Sequence, residues 1–349
     1  MISLIIGTYN GEKFIDECLE SVLSQTISKD KLEIVIVDDG STDSTVELLK
    51  KYEQMYPDNI ILVLNEKNSK ETLKKTRNIG MEYANGDYIC FLDQDDKYSE
   101  DAFEILHNLM EKNPDLDYIE YTLHYTNDSG EITQTTYKNK SGFFKYHIEN
   151  EAIRTELAKK GILPGATFAW TKIYRKKFLI ENHICHNDGE LSTGYADNYF
   201  SGLVVNYVKN FGKLYQPLYL YRNYIGSYSH SKNINDKNQF ERCKVGLVFY
   251  KDCQTRGLYE KNYEMVEYIF LRTFLLKTFW QFLDAQKFNP IPYEMLMFMQ
   301  NQIRELCPNR SSNSILKVKK DFPELLFLLN YDWTEDFLLG LACGMKIRE

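Results

Sequence analysis

Short apolar runs alternate with longer stretches of helical period through the first hundred residues. Ile2 to Ile6, Leu32 to Val37, Ile60 to Leu64 and Tyr88 to Leu92 are rich in Ile, Val and Leu with no polar alternation, the pattern of parallel strands buried on both faces. Between them, Ile15 to Gln25, Ser44 to Tyr56 and Thr72 to Ala84 carry apolar residues at helical spacing, and Asp43 or Ser44 suits the cap of the second. The resulting β-α-β-α-β-α-β order predicts an α/β fold with a doubly wound, mostly parallel sheet flanked by helices. Such sheets bind ligands at the carboxyl ends of their strands.

Three polar clusters fall at those ends: "GTYN" after the first strand, "DDGSTD" after the second and "DQDD" after the fourth. From about Asp101 the pattern loosens into a helix, a hairpin-like "TNDSGEIT" at 126–133 and a region dense in aromatics up to Tyr228. "SKNINDKNQ" at 231–239 lacks an apolar period and reads as a linker. Beyond it the pattern is helical, with Val266, Ile269, Phe270, Thr273, Leu276, Trp280 and Leu283 along one face and another helix over Pro292 to Cys307. That stripe suits the core of a helical appendage, a membrane-surface contact or a contact between copies of the chain. The expected organisation is a 1–230 domain in two halves, 1–98 and 99–230, the linker 231–239 and a helical region 240–349.

A net charge of -8 argues against broad binding to nucleic acid, which needs a concentrated basic surface. The seven cysteines are scattered, odd in number and without a C-x-x-C pair, as in a reduced cytoplasmic protein. The opening "MISLIIGTYN" lacks the basic head and long apolar run of a signal peptide, and the apolar stretch 268–283 is interrupted by Arg272 and Lys277 and too short to span a bilayer. The expected location is cytoplasmic, with peripheral contact at the inner face of the membrane left open.

Carboxylates crowded at a strand end repel one another unless a cation compensates, and oxygen ligands of this kind suit Mg²⁺ or Mn²⁺. Asp95 is the first choice as ligand. A hard ion held by one or two carboxylates keeps positions that a diphosphate fills. Asp96 reads instead as a cap for a helix starting near Tyr98.

Four segments carry a resemblance: "IIGTYNGEKFIDECLESVLSQT" at 5–26, "IVIVDDGSTDST" at 34–45, "TRNIGMEYANGDYICFLDQDD" at 76–96 and, more weakly, "GYADNYF" at 194–200. Over roughly residues 1–230 the chain resembles the family 2 glycosyltransferases of GT-A fold, which transfer a sugar from a nucleotide diphosphate sugar with inversion. The resemblance implies that Thr8 and Tyr9 line a nucleobase pocket and that Asp39 accepts a hydrogen bond from the base, most simply uracil N3–H. It also implies that Arg77 faces the nucleotide or its phosphates, that Asp93 holds ribose or the donor sugar, and that Asp95 binds the metal bridging the diphosphate. Asp197 would be the base that takes the acceptor's proton, and His230, in a loop able to close over the diphosphate, would reach the metal or a phosphate. Asp38 reads equally as a turn partner or a ligand contact, and Asn78 as a support of the local backbone.

Two positions depart from the family pattern: Gly7 stands where proline is common, and Ala196 replaces the usual glutamate before the base, with Glu190 as a substitute. "WTKIYRKKF" at 170–178 also resembles the family's acceptor side. Arg175, Lys176 and Lys177 read as a solvated face or as a contact to an anionic acceptor, and Trp170, Tyr174, Tyr195 and Tyr199 as core or as platforms for sugars. The implied activity is a hexosyl- or N-acetylhexosaminyltransferase, inverting and Mn²⁺- or Mg²⁺-dependent. It would use a UDP-sugar donor and a glycan, teichoic-acid-like or glycoconjugate acceptor in bacterial cell-surface synthesis. The alternatives are a non-catalytic sugar-nucleotide or glycan-binding module and a sugar nucleotidyltransferase, though "GTYNGEKF" lacks the glycine density of the latter's phosphate loop.

Overall fold

The structure is a computed structural model, and it describes residues 1–66, 68, 73–137, 139–163, 168–186, 195–224, 236–282, 292–319, 329–338 and 341. The described chain packs as two compact units, the first drawn from Met1–His147, Phe168–Phe200 and Tyr207–Ser231, the second from Ile148–Thr167, Ser201–Asn206 and Lys232–Glu349.

The first unit opens with β1 (Ile2–Thr8), α1 (Ile15–Leu23), β2 (Leu32–Asp38), α2 (Thr45–Met55), β3 (Ile60–Leu64), α3 (Leu73–Tyr83) and β4 (Tyr88–Asp93). The four strands pair in parallel in the order β3-β2-β1-β4. Every residue of β1 and β2 is buried, which is why these runs carry no polar alternation. α3 lies close on β1 at Gly80, where an added Cβ would fall 2.3 Å from Ile5 Cγ2. Only glycine permits that approach.

After β4 the elements are β5 (Lys97–Tyr98), α4 (Ala102–Lys112), β6 (Tyr118–Thr126), β7 (Ile132–Thr135), β8 (Phe143–His147), α5 (Glu151–Lys159), β9 (Lys172–Arg175), α6 (Lys176–Glu181), α7 (Ala196–Tyr207) and β10 (Asn210–Arg222). The sheet continues past β4 through β9, β6, β10 and β5, with β7 beside β6 and β8 beside β10. This half is mixed: β9 is antiparallel to β4 and β6, while β6 and β10 run parallel. The expected hairpin at 126–133 is the β6–β7 turn, where Asn127 N and Glu131 O bond at 3.0 Å. β10 tolerates Pro217 because its register against β6 slips between Leu214 and Tyr219; a bulge absorbs a residue that cannot donate to the ladder.

In the second unit α5 is joined by α8 (Asp236–Thr255), α9 (Leu258–Lys261), α10 (Tyr263–Ile269), a π-helical stretch Phe270–Leu276, α11 (Lys277–Phe282), α12 (Tyr293–Leu306) and α13 (Ser314–Lys317). α8 begins at Asp236, so the end of the expected 231–239 linker is already helical, and 231–235 lie outside the described residues. The single expected stripe is also broader than its spacing implied. Leu271, Phe274, Leu275 and Phe279 are buried along with Val266, Ile269, Phe270 and Leu276, while Trp280 is 38% exposed. The wider π turn rotates successive side chains off the 3.6-residue period, so buried positions appear around more of the helix. Among the described residues no helix is long and apolar enough to cross a membrane.

Candidate active site

Parallel pairing sets Thr8 opposite Asp38 and Gly7 opposite Asp93, so the ends of β1, β2 and β4 meet in register. Thr8 Oγ1 donates to Asp38 Oδ1 at 2.9 Å, and the amides of Gly40 and Ser41 donate to Asp38 Oδ2 at 3.0 and 2.9 Å. Asp38 is thereby the turn partner, folding the "DDGS" loop back on its own strand. The amide of Asp39 donates to Thr8 O at 2.8 Å, and Asn65 Nδ2 donates to Asp39 Oδ1 at 3.2 Å.

Tyr9 is 44% exposed, and its backbone is held from both sides by Gln94, with Tyr9 N to Oε1 at 2.9 Å and Nε2 to Tyr9 O at 3.1 Å. Gln94 also lies where a Cβ on Gly11 would come within 2.6 Å of its Oε1. The middle residue of "DQD" thus splints the first and fourth strand loops together. Its sequence signal is faint, since nothing local marks a glutamine as a backbone clamp.

Arg77, on α3, is 2% exposed. Its Nη2 donates to Asp93 Oδ1 at 2.6 Å, its Nη1 donates to Asp197 Oδ1, and its guanidinium lies 5.4 Å from the Phe91 ring centroid. Burial works against the guanidinium's charge, but Asp197 and Asp93 more than offset it and hold it firmly cationic. Burial likewise pushes the Asp197 carboxyl up, Arg77 opposes that rise and Asp93 adds to it. Asp197 sits in the first turn of α7, with His186 Nδ1 at 3.8 Å. His186 stacks on Phe200 at 4.4 Å, and Asn78 clamps its backbone through 2.8 Å bonds to both N and O. Asn78 supports backbone, but of a segment 108 positions away rather than the local stretch expected of it, because the packing of the fold brings His186 to α3.

Asp96 corrects its expected role. Lys97 and Tyr98 form β5 and pair with β10, and the following helix starts at Ala102 with Asp101 at its cap position. Asp96 is fully buried and accepts from Tyr219 Oη at 2.6 Å and Arg222 N at 2.7 Å. Burial, then Asp95 and Asp93, raise its carboxyl well above the ordinary range. Tyr219 Oη also accepts from Asp93 N at 3.3 Å, and Arg222 reaches Asp95 O at 3.0 Å and Glu17 Oε2 at 2.6 Å. Tyr219 and Arg222 organise the acidic turn from a strand that sequence reading left unassigned.

Burial and the charge of Asp93 push the Asp95 carboxyl up to about 6, against a hydrogen bond from Tyr224 and the charge of Arg222. Among the described residues no group of three or more His, Cys, Asp or Glu is arranged to hold a metal. The site offers one carboxylate in an undercompensated negative environment. That donor set fits a hard cation taking most of its ligands from substrate phosphates and water. His230 and Glu190 lie outside the described residues.

The acceptor-side aromatics Trp170, Tyr174 and Tyr199 are buried, and Trp170 stacks between Phe168 and Tyr221. Tyr195 is half-buried just before α7. Of the basic run, Lys177 alone is a solvated side chain, 75% exposed beside Glu181. Arg175 Nε donates to Leu116 O at 2.9 Å, and Lys176 Nζ donates to Ala84 O at the end of α3.

Comparison with known proteins agrees with this geometry. Residues 3–178 match the family described as Glycosyl transferase family 2. EpsH of Bacillus subtilis is 30% identical over 275 residues, covering 76% of this chain and 71% of that protein. A poly(ribitol-phosphate) beta-glucosyltransferase of Bacillus spizizenii is 38% identical over 112 residues, 32% of this chain but only 17% of that longer protein. Residues 1–349 of S. aureus TarS, solved with UDP and with UDP-GlcNAc, share the fold at TM-scores of 0.59 and 0.60, with 20% and 19% identity, 96% of this chain and 94% of theirs covered. Motif order, sheet and match together establish that this chain belongs to glycosyl transferase family 2, on a GT-A fold.

Proposed function

We propose that the chain is an inverting, metal-dependent transferase that moves a hexosyl or N-acetylhexosaminyl group from a UDP-sugar to a hydroxyl of a bacterial cell-surface glycan or glycoconjugate. The observation that carries this reading is the Arg77 fork, which ties Asp93, at the end of β4, to Asp197, at the start of α7. The carboxylates assigned to the donor and acceptor sides then share a single buried cation. The relatives' printed activities, a poly(ribitol-phosphate) glucosyltransferase among them, and the UDP and UDP-GlcNAc complexes of TarS support a UDP-sugar donor and a teichoic-acid-like acceptor.

Asp197 takes the proton of the acceptor hydroxyl as its oxygen bonds to the anomeric carbon. The bond from that carbon to the diphosphate breaks on the opposite face, and UDP leaves. A single base opposite the leaving group gives inversion. Thr8, Tyr9 and Asp39 form the nucleobase end of the site, with the Tyr9 ring presented to solvent for stacking. Asp93 holds ribose or sugar hydroxyls, and Arg77 orients the two carboxylates beside them. Asp95, with His230, would hold Mn²⁺ or Mg²⁺, whose chemistry is to stabilise negative charge growing on the departing diphosphate.

A screen of UDP-sugars with Mn²⁺, read as UDP release with and without acceptor glycans, tests the proposal. Release from one donor, accelerated by an acceptor, is expected. UDP-sugar binding without turnover across donors and acceptors would instead mark a binding module, and pyrophosphate formed from sugar-1-phosphate and UTP a nucleotidyltransferase.

A further inference from the structure

The segment from Ile132 to His147 holds three lysines, four aromatic residues and no Asp or Glu, in a chain with 50 acidic residues. Part of it forms an exposed patch. Tyr137 and Phe144 are 54% and 48% exposed. Both meet the half-buried ring of Tyr215 edge to face, with centroids at 5.4 and 5.8 Å. Lys140 Nζ stands 5.1 Å from the Tyr215 centroid and 5.5 Å from that of Tyr137.

Two chain segments therefore converge to leave apolar rings and a cation open to water together, an arrangement that core packing does not require. Tyr137 also holds a left-handed backbone, φ +54, closed by a 2.9 Å bond from Lys140 N to its carbonyl. A bulky side chain adopts that conformation at a cost, and such strain collects at ligand-contacting positions. Beneath the patch, Lys213 stands opposite Phe144 in the β8–β10 ladder and pairs with Glu120 at 3.0 Å; Glu120 also faces Lys172 at 3.7 Å.

We propose that Tyr137, Phe144, Tyr215 and Lys140 form a subsite for an extended anionic glycan or polyol chain. The rings take the C–H faces of sugar or polyol units, and the lysine takes a phosphate or carboxylate on the chain. Charge complementarity selects this occupant over a neutral polysaccharide. The subsite rests on the transferase reading only in that the bound chain would be the acceptor; binding itself needs neither donor nor turnover.

The test is biolayer interferometry of the full chain on immobilised poly(ribitol phosphate), polygalacturonate and dextran, without nucleotide. At least one polyanion should bind, and which one identifies the charged group recognised; dextran should bind roughly tenfold more weakly or not at all. The double variant Tyr137→Ala/Phe144→Ala and, separately, the surface variant Lys140→Glu should each weaken polyanion binding about tenfold. Unaltered thermal unfolding shows that the variants fold. Equal binding of dextran, no polyanion binding by the unaltered chain, or full affinity in both variants would overturn the subsite. Failure of UDP-sugar turnover with these binding results intact would overturn the transferase reading alone.

Discussion

Arg77 and Asp197, 120 positions apart, are joined by a buried ion pair whose other arm is Asp93. Lysine at position 77 reaches one carboxylate but cannot span two in a fixed fork. Arg77→Lys should therefore lower kcat about 100-fold, or roughly 3 kcal/mol, while UDP affinity changes little. Steady-state kinetics beside UDP titration calorimetry checks this, and a variant with normal kcat would remove Arg77 from the positioning role.

Asp197→Asn should leave UDP binding within about twofold and cut transfer by ~100-fold or more. In the unaltered enzyme the working form of Asp197 is the carboxylate, and burial raises its pKa. Activity should then fall as pH drops through a value above the ordinary aspartate range of about 3.9, with no corresponding loss from this group as pH rises. Arg77→Gln removes the charge that opposes the rise, so the acid limb should move to higher pH. A limb that stays in place, measured as kcat/KM against pH, contradicts the pairing.

Chelation by EDTA should stop turnover, and added Mn²⁺ or Mg²⁺ should restore it. Asp95→Ala should abolish the metal dependence of UDP binding, because burial and Asp93 leave its carboxylate in negative surroundings that a bound cation would relieve. Isothermal titration with and without metal decides the matter; identical curves for the unaltered and Asp95→Ala chains would exclude this residue as ligand.

Tyr219→Phe removes the hydroxyl that donates to buried Asp96. The folded-state pKa of Asp96 is raised, so its contribution to stability is present at low pH and is lost as pH rises through that value. The hydroxyl supports the ionised form. Its removal should therefore cost about 1–3 kcal/mol where Asp96 is ionised and less where it is protonated. Calorimetric unfolding across a pH series should show the larger drop in Tm on the alkaline side; equal drops throughout would mean that Tyr219 acts through packing alone.

Much of the first unit was legible because the evidence is local. β3 falls on the expected Ile60–Leu64, and β1, β2 and β4 extend their expected runs by one or two residues. Burial on both faces demands continuous apolar side chains whatever the partner strand, and the motif positions follow from where those runs stop. Asp96 was misread for the converse reason. An aspartate near a helix start resembles a cap, and only the pairing of Lys97–Tyr98 with Tyr219–Leu220 turns that stretch into a strand and sends the carboxylate inward.

The amino-acid sequence by itself determined the order of the parallel strands along the chain, the acidic composition of their carboxyl ends and the residues that bring chemistry there. The tertiary structure decided how those groups are held. Arg77 bridges Asp93 and Asp197, and Tyr219 and Arg222 secure Asp96, because α3, β4, α7 and β10 are brought together. Side-chain pattern fixes which face of an element is buried, whereas partners more than a hundred positions apart are selected by sheet pairing and helix packing, which no local stretch of sequence encodes.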